Sequence, residues 1–128
     1  METSVNNKCR AFTSLEQSRK LSEILPLESA DMKYPYFGNA EWGETPRFGE
    51  PLEYSGNKDK PCWSLASLLC VLPILDNRSP TLSKTFDGEY RVLYHSTSYE
   101  MAILTSDYDN PVDACVELIL KLNELNLL

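Results

Sequence analysis

Between Pro61 and Pro73 the chain reads CWSLASLLCVL, and from Trp63 to Leu72 only Ser64 and Ser67 interrupt the apolar side chains. Wound at 3.6 residues per turn, these positions occupy nearly every side of a helix, and a helix apolar all round belongs in an interior. Pro61 is tolerated in a first turn, Asp59 is a candidate cap, and Pro73 ends the run. The spacing predicts a helix over 62–72 that fills the middle of the fold. Every other element then needs only one apolar face to lay against it.

The flanking segments supply such faces. Thr13 with Glu16 has the spacing of a reciprocal N-terminal cap, and Leu15, Leu21, Ile24 and Leu25 give a sparse stripe up to Pro26. This predicts a first helix over 14–25, preceded by a flexible tail at 1–12. Asn110 and Pro111 announce a last helix over 111–126, where Val112, Cys115, Leu118, Ile119, Leu122 and Leu125 recur at helical spacing. Between the two, Asp87-Gly88 suits the positive φ angles of a type I′ turn. The runs 82–86 and 89–95 should pair across it, with 99–104 as a third strand. In the second run Tyr90, Val92 and Tyr94 should share one face, and Arg91, Leu93 and His95 the other. The expected fold is α+β: a two-layer single domain over 13–128, three helices packed on an antiparallel meander of three to four strands.

Residues 31–54, DMKYPYFGNAEWGETPRFGEPLEY, behave differently. Pro35, Pro46 and Pro51 with Gly38, Gly43 and Gly49 defeat any long regular element, leaving at best a short strand near 32–36. Six aromatics, Tyr34, Tyr36, Phe37, Trp42, Phe48 and Tyr54, crowd this stretch. Folded inward they would lid the core; left exposed they offer flat faces to a partner. They are the candidate binding residues.

Charge restricts the partners. The chain of 128 residues carries net charge -7, which argues against direct basic contact with nucleic acid. Residues 86–128 hold -6 while residues 54–85 hold +2. The acidic part reads as a solubilising surface, or as one that attracts a basic partner. No apolar run approaches the roughly 18 residues of a membrane span, and the N-terminus lacks the apolar core of a signal peptide. A cytoplasmic protein is expected. Cys9, Cys62, Cys70 and Cys115 contain no CxxC pair and the chain has one histidine, so neither metal nor cofactor is expected. Cys70 and Cys115 are expected as buried, inert thiols.

Cys62 poses the one catalytic question. A thiol at a helix N-terminus beside a tryptophan, followed by strands bearing His95, is the chain order of a papain-like thiol hydrolase. The lead-in KDKPCW lacks that class's CGSCW signature, no third residue can be singled out to orient the imidazole although Glu100 and Asp107 are available, and His95 falls on the wetter strand face. Cys62 is therefore expected to be a half-buried structural thiol, with a Cys62–His95 dyad as the alternative.

Three blocks, EQSRKLSEILPLESADMKY, PCWSLASLLCVLP and DNPVDACVELILKLNELNLL, resemble in order a family of uncharacterised small proteins from gut Bacteroides and their prophages and other mobile elements. The resemblance implies no catalytic residue or cofactor. It implies a setting: a phage or mobile-element accessory protein of the bacterial cytoplasm. The expected function is a non-enzymatic interaction role, with a second protein or a second copy of this chain as the partner.

Overall fold

The computed structural model describes residues 10–38, 41–54, 57–75, 77–94 and 107–128. Among the described residues are three α-helices and antiparallel sheets of two and three strands, so the chain is α+β. It divides into two compact units, Phe12–Ser67 and Leu68–Leu128, the latter taking in Met1–Ala11.

In the unit Phe12–Ser67, α1 spans Leu15–Ser22. Its cap stands one residue later than the sequence suggests: the Gln17 amide donates to Ser14 Oγ at 3.1 Å, and the Ser14 amide donates to Gln17 Oε1 at 2.9 Å. Thr13 is unavailable because it is fully buried, accepting from the Trp63 amide at 3.1 Å and sharing a 2.8 Å hydrogen bond with Ser18 Oγ. The helix also stops earlier than expected, at Ser22 rather than residue 25, and the turn Leu27–Ser29 follows Pro26 as a 3-10 helix.

The proline- and glycine-rich segment then forms several two- and three-residue strands rather than one strand and a loop. β1 (Met32–Tyr34) lies between β4 (Arg47–Phe48) and β7 (Lys60–Cys62), with Met32 opposite both Phe48 and Cys62. β2 (Tyr36–Gly38) pairs with β3 (Glu41–Trp42), and β5 (Glu53–Tyr54) with β6 (Asn57–Lys58). Prolines and glycines limit each strand's length without preventing its pairing, because a pair needs only a few free amides. α1 lies against β7, and Met32, Tyr34 and Cys62 form a core on which Phe12, Leu15 and Trp42 pack.

α2 spans Leu65–Val71 and carries the chain from one unit into the other. Its start corrects the expectation of a helix from residue 62. Ser64 is the cap: its Oγ accepts the Ser67 amide at 3.2 Å. Ser64 is fixed in turn by Asp31, which accepts the Ser64 amide on Oδ1 and the Ser64 hydroxyl on Oδ2. Pro61 and Cys62 are thereby left in β7. Leu68 and Leu72 are buried as expected, but Ala66 and Cys70 are exposed, so one side of this helix reaches the surface. Cys70 is not the buried thiol its apolar neighbours suggested.

In the unit containing Leu68–Leu128, β8 (Pro80–Lys84) and β9 (Tyr90–Tyr94) form the expected hairpin in the register Leu82 opposite Val92. Its turn differs. Gly88 alone has positive φ, at 87°, and its amide donates to the Thr85 carbonyl at 3.0 Å. The Thr85 amide donates to the Glu89 carbonyl at 2.7 Å, closing a three-residue loop. Phe86 stands fully exposed at its tip. The strand faces alternate as expected, with Val92 and Tyr94 buried. The other edge of β9 meets Tyr108, whose amide and carbonyl both bond Tyr90. The expected third strand at 99–104 lies outside the described residues.

α3 (Pro111–Glu124) packs on β9. Asn110 is fully buried and accepts the Val112 and Asp113 amides, and its Nδ2 donates to the Arg10 carbonyl at 3.1 Å. Arg10 also pairs with Asp113. Of the expected tail at 1–12, Arg10 is thus bound to α3 and Phe12 bridges Ser64, while residues 1–9 lie outside the described residues. Val112, Leu118, Ile119 and Leu122 are fully buried, each stabilising the fold by about 1.5–3 kcal/mol relative to exposure.

Candidate functional site

The thiol is the simplest case. Cys62 sits on β7 rather than at a helix N-terminus, so no helix dipole favours its thiolate. It is fully buried. The Thr13 hydroxyl donates to its Sγ at 3.5 Å, and Sγ is placed to donate to the Thr13 carbonyl at the same distance. Burial pushes this thiol above its ordinary pKa, and hydrogen bonds from Thr13, Tyr34 and Ser18 only partly offset that. A neutral, enclosed thiol is a poor nucleophile. His95 lies outside the described residues. Cys115, also fully buried, is pushed up by burial to about 12. Among the described residues no group of His, Cys, Asp and Glu could hold a metal ion, and no helix is long and apolar enough to cross a membrane.

The aromatic segment separates into three kinds. Tyr34 is core: it is buried, and its hydroxyl donates to the Thr13 carbonyl at 2.6 Å. Tyr36 and Trp42 are half-buried and meet edge to face, with ring centroids 5.1 Å apart. Phe37 and Phe48 are exposed at 67% and 74%, which is what qualifies them as contact residues. Tyr54 lies on β5. Phe37 is exposed yet not loose, since its ring edge lies over buried Gly43, where a Cβ would stand 2.9 Å from Cζ.

Trp42 is held on three sides. Its Nε1 donates to the Lys58 carbonyl at 2.9 Å, Tyr36 abuts its edge, and Lys60 Nζ stands 4.1 Å from the ring centroid, a cation–π contact. Beside it opens a cleft of about 510 Å³. Its apolar lining comes from Leu27, Pro51, Leu52 and Pro61, and its charge from Lys58, Lys60 and Asp59. Asp59 acts as a structural tie within that lining: it is buried, accepts the Tyr36 amide at 2.9 Å and the Leu52 amide at 3.0 Å, and lies 3.8 Å from Lys33 Nζ. The cap position the sequence suggested for it belongs to Ser64. A half-buried indole, exposed leucines at 27 and 52, and two lysines make a surface suited to binding.

Sequence reasoning missed this cleft. Leu27, Pro51 and Lys58 come from separate stretches of the chain, and no periodicity links them. A cue existed in Lys58 and Lys60 on either side of Asp59 within an acidic chain. Compared with known protein families, with curated proteins and with solved structures, the chain matches none.

Proposed function

We propose that this chain is a non-enzymatic interaction protein, an accessory of a phage or mobile element acting in the bacterial cytoplasm, which binds a protein partner through the exposed part of segment 34–54. The observation that carries the reading is the exposure of Phe37 and Phe48 on short strands pinned by Gly43, Asp59 and β1. Large aromatic side chains held at a surface offer contact area at low entropic cost, and such residues dominate binding energy at interfaces. Burial of Cys62 removes the accessible thiolate that the hydrolase alternative requires.

The test compares the wild-type chain with Phe37→Ser/Phe48→Ser, which should stay folded by circular dichroism although the lost Phe37 contact over Gly43 lowers its melting temperature slightly. A protein recovered with the wild type from its host, lost with the variant, and bound directly once purified supports the reading. So does self-association by sedimentation that the variant abolishes. Recovery and sedimentation indifferent to both phenylalanines would overturn it, as would rapid labelling of Cys62 by a thiol probe at neutral pH.

A further inference from the structure

Beside the Trp42 cleft lies a second hollow of about 220 Å³, lined by Leu27, Glu28, Ala30, Glu50 and Pro51. The two share Leu27 and Pro51, so they adjoin as one trough with an apolar middle. The ends carry opposite charge: Lys58 and Lys60 at one, where the buried Asp59 carboxylate is already engaged by Lys33 and the Tyr36 and Leu52 amides, and Glu28 and Glu50 at the other.

We propose that this trough binds an extended peptide segment of a partner protein, acidic at one end, basic at the other and apolar between. The proposal rests on the reading of the chain as an interaction protein and assigns it a second surface in addition to the exposed phenylalanines. Two adjoining hollows suit alternate side chains of an extended strand, which recur on one side every second residue. Prolines and an indole form walls of the kind that take extended, proline-containing ligands. Charge selects the occupant. A nucleic acid or an anionic membrane would meet the lysines favourably but be repelled by Glu28 and Glu50. A uniformly basic segment would suffer the reverse at Lys58 and Lys60. Only a segment with both signs satisfies both ends, and like charges brought together are what rejects the others.

The probes are three fluorescein-labelled synthetic peptides with a common Leu-Pro-Leu centre: one with Asp-Glu before it and Arg-Lys after it, one acidic at both ends, one basic at both ends. Binding is read by anisotropy and by Trp42 emission, since the other tryptophan, Trp63, is fully buried. The mixed peptide should bind roughly tenfold more tightly than either other, and less so at high salt. Lys58→Glu/Lys60→Glu should transfer the preference to the basic peptide, and Lys58→Glu alone, at an exposed position, should move the ranking in the same direction. Phe37→Ser/Phe48→Ser should leave the ranking unchanged. Equal affinities, no binding at millimolar peptide, or a ranking insensitive to the lysines would overturn the trough while leaving the phenylalanine surface to its own test. Mixed-peptide binding that depends on Phe37 and Phe48 instead would also overturn it.

Discussion

Asp59 and Leu52 are hydrogen-bonded twice: the Asp59 amide donates to the Leu52 carbonyl at 2.8 Å, and Asp59 Oδ2 accepts the Leu52 amide at 3.0 Å. Oδ1 of the same carboxylate takes the Tyr36 amide. One side chain thus fixes where β2 begins and where the chain turns before β5, in a segment whose strands are too short to hold themselves.

Asp59→Ala should therefore loosen the segment rather than merely remove a charge. It deprives two amides of an acceptor and leaves the Lys33 ammonium without its carboxylate. The expected cost is about 3 kcal/mol, because breaking a buried charged network leaves its remaining members uncompensated. Urea denaturation measures the loss. Trp42 emission should shift before the global transition while that of Trp63 does not, and simultaneous shifts of the two would refute this local role.

Asp31 makes a different prediction, in pH. Desolvation by burial raises its carboxyl pKa, but the hydrogen bonds from the Ser64 hydroxyl and amide and from Ser67 together outweigh it, so the carboxyl lies below its ordinary 3.8. A pKa lowered by folding means stability that is complete above the unfolded value and lost as pH falls through the folded one. Stability should hold down to about pH 4 and decline below it. Asp31→Asn should cost about 1–2 kcal/mol at pH 7, a charged hydrogen bond discounted for its access to water. The variant should also flatten the acid limb, so that thermal melts of the two proteins converge once pH has fallen through the lowered pKa of the folded carboxyl. A constant gap across that range would remove Asp31 as the cause.

These carboxylates also explain what could be read from sequence. The last helix was legible because Asn110, Pro111 and a fourteen-residue amphipathic run act locally. The 80–94 hairpin was legible because alternation at Val92 and Tyr94 survives any small change of turn. The second helix was legible in its apolar body but not in its start, because the Ser64 cap depends on Asp31, thirty-three positions away. Thr13 failed as a cap for the same reason: its hydroxyl is engaged by Trp63, fifty positions on. Of the short strands of 32–62, β1, β4 and β7 are set by long-range pairing, β2–β3 and β5–β6 pair locally but over too few residues to show a period, and the cleft has no sequence period at all. Phe37 and Phe48 could be named as candidates, but their exposure depends on which face of a two- or three-residue strand is covered.

Thiol chemistry should divide the cysteines by environment. Cys70 is exposed, whereas Cys62 and Cys115 are fully buried, and burial raises the pKa of both. Iodoacetamide at pH 7.5, followed by peptide mapping, should modify Cys70 at the rate of an ordinary surface thiol. Cys62 and Cys115 should react only through unfolding, at rates that rise with urea. Cys62→Ala removes a packed sulfur from between Thr13 and Tyr34, and should cost about 1–2 kcal/mol without altering Cys70 labelling. Labelling of native Cys62 faster than Cys70 would contradict the burial described above.

The end of α3 is closed without a glycine. Asn126 adopts φ of 59°, its amide donates to the Asn123 carbonyl at 3.1 Å, and the Leu127 amide donates to the Leu122 carbonyl at 2.9 Å. This pair of bonds satisfies carbonyls that the last turn would otherwise leave open. Asparagine tolerates the left-handed conformation but glycine tolerates it better, and a β-branched residue there pays the full steric penalty. Asn126→Gly should consequently leave stability unchanged or raise it by a few tenths of a kcal/mol, and Asn126→Val should lower it by about 1–2 kcal/mol. Urea midpoints compared at constant m-value measure both. Because Leu122 is fully buried, the loss in Asn126→Val should reach the core end of the helix, with faster amide exchange at Leu127 and at the last turn. Equal midpoints for the glycine and valine variants would mean that this helix ends some other way.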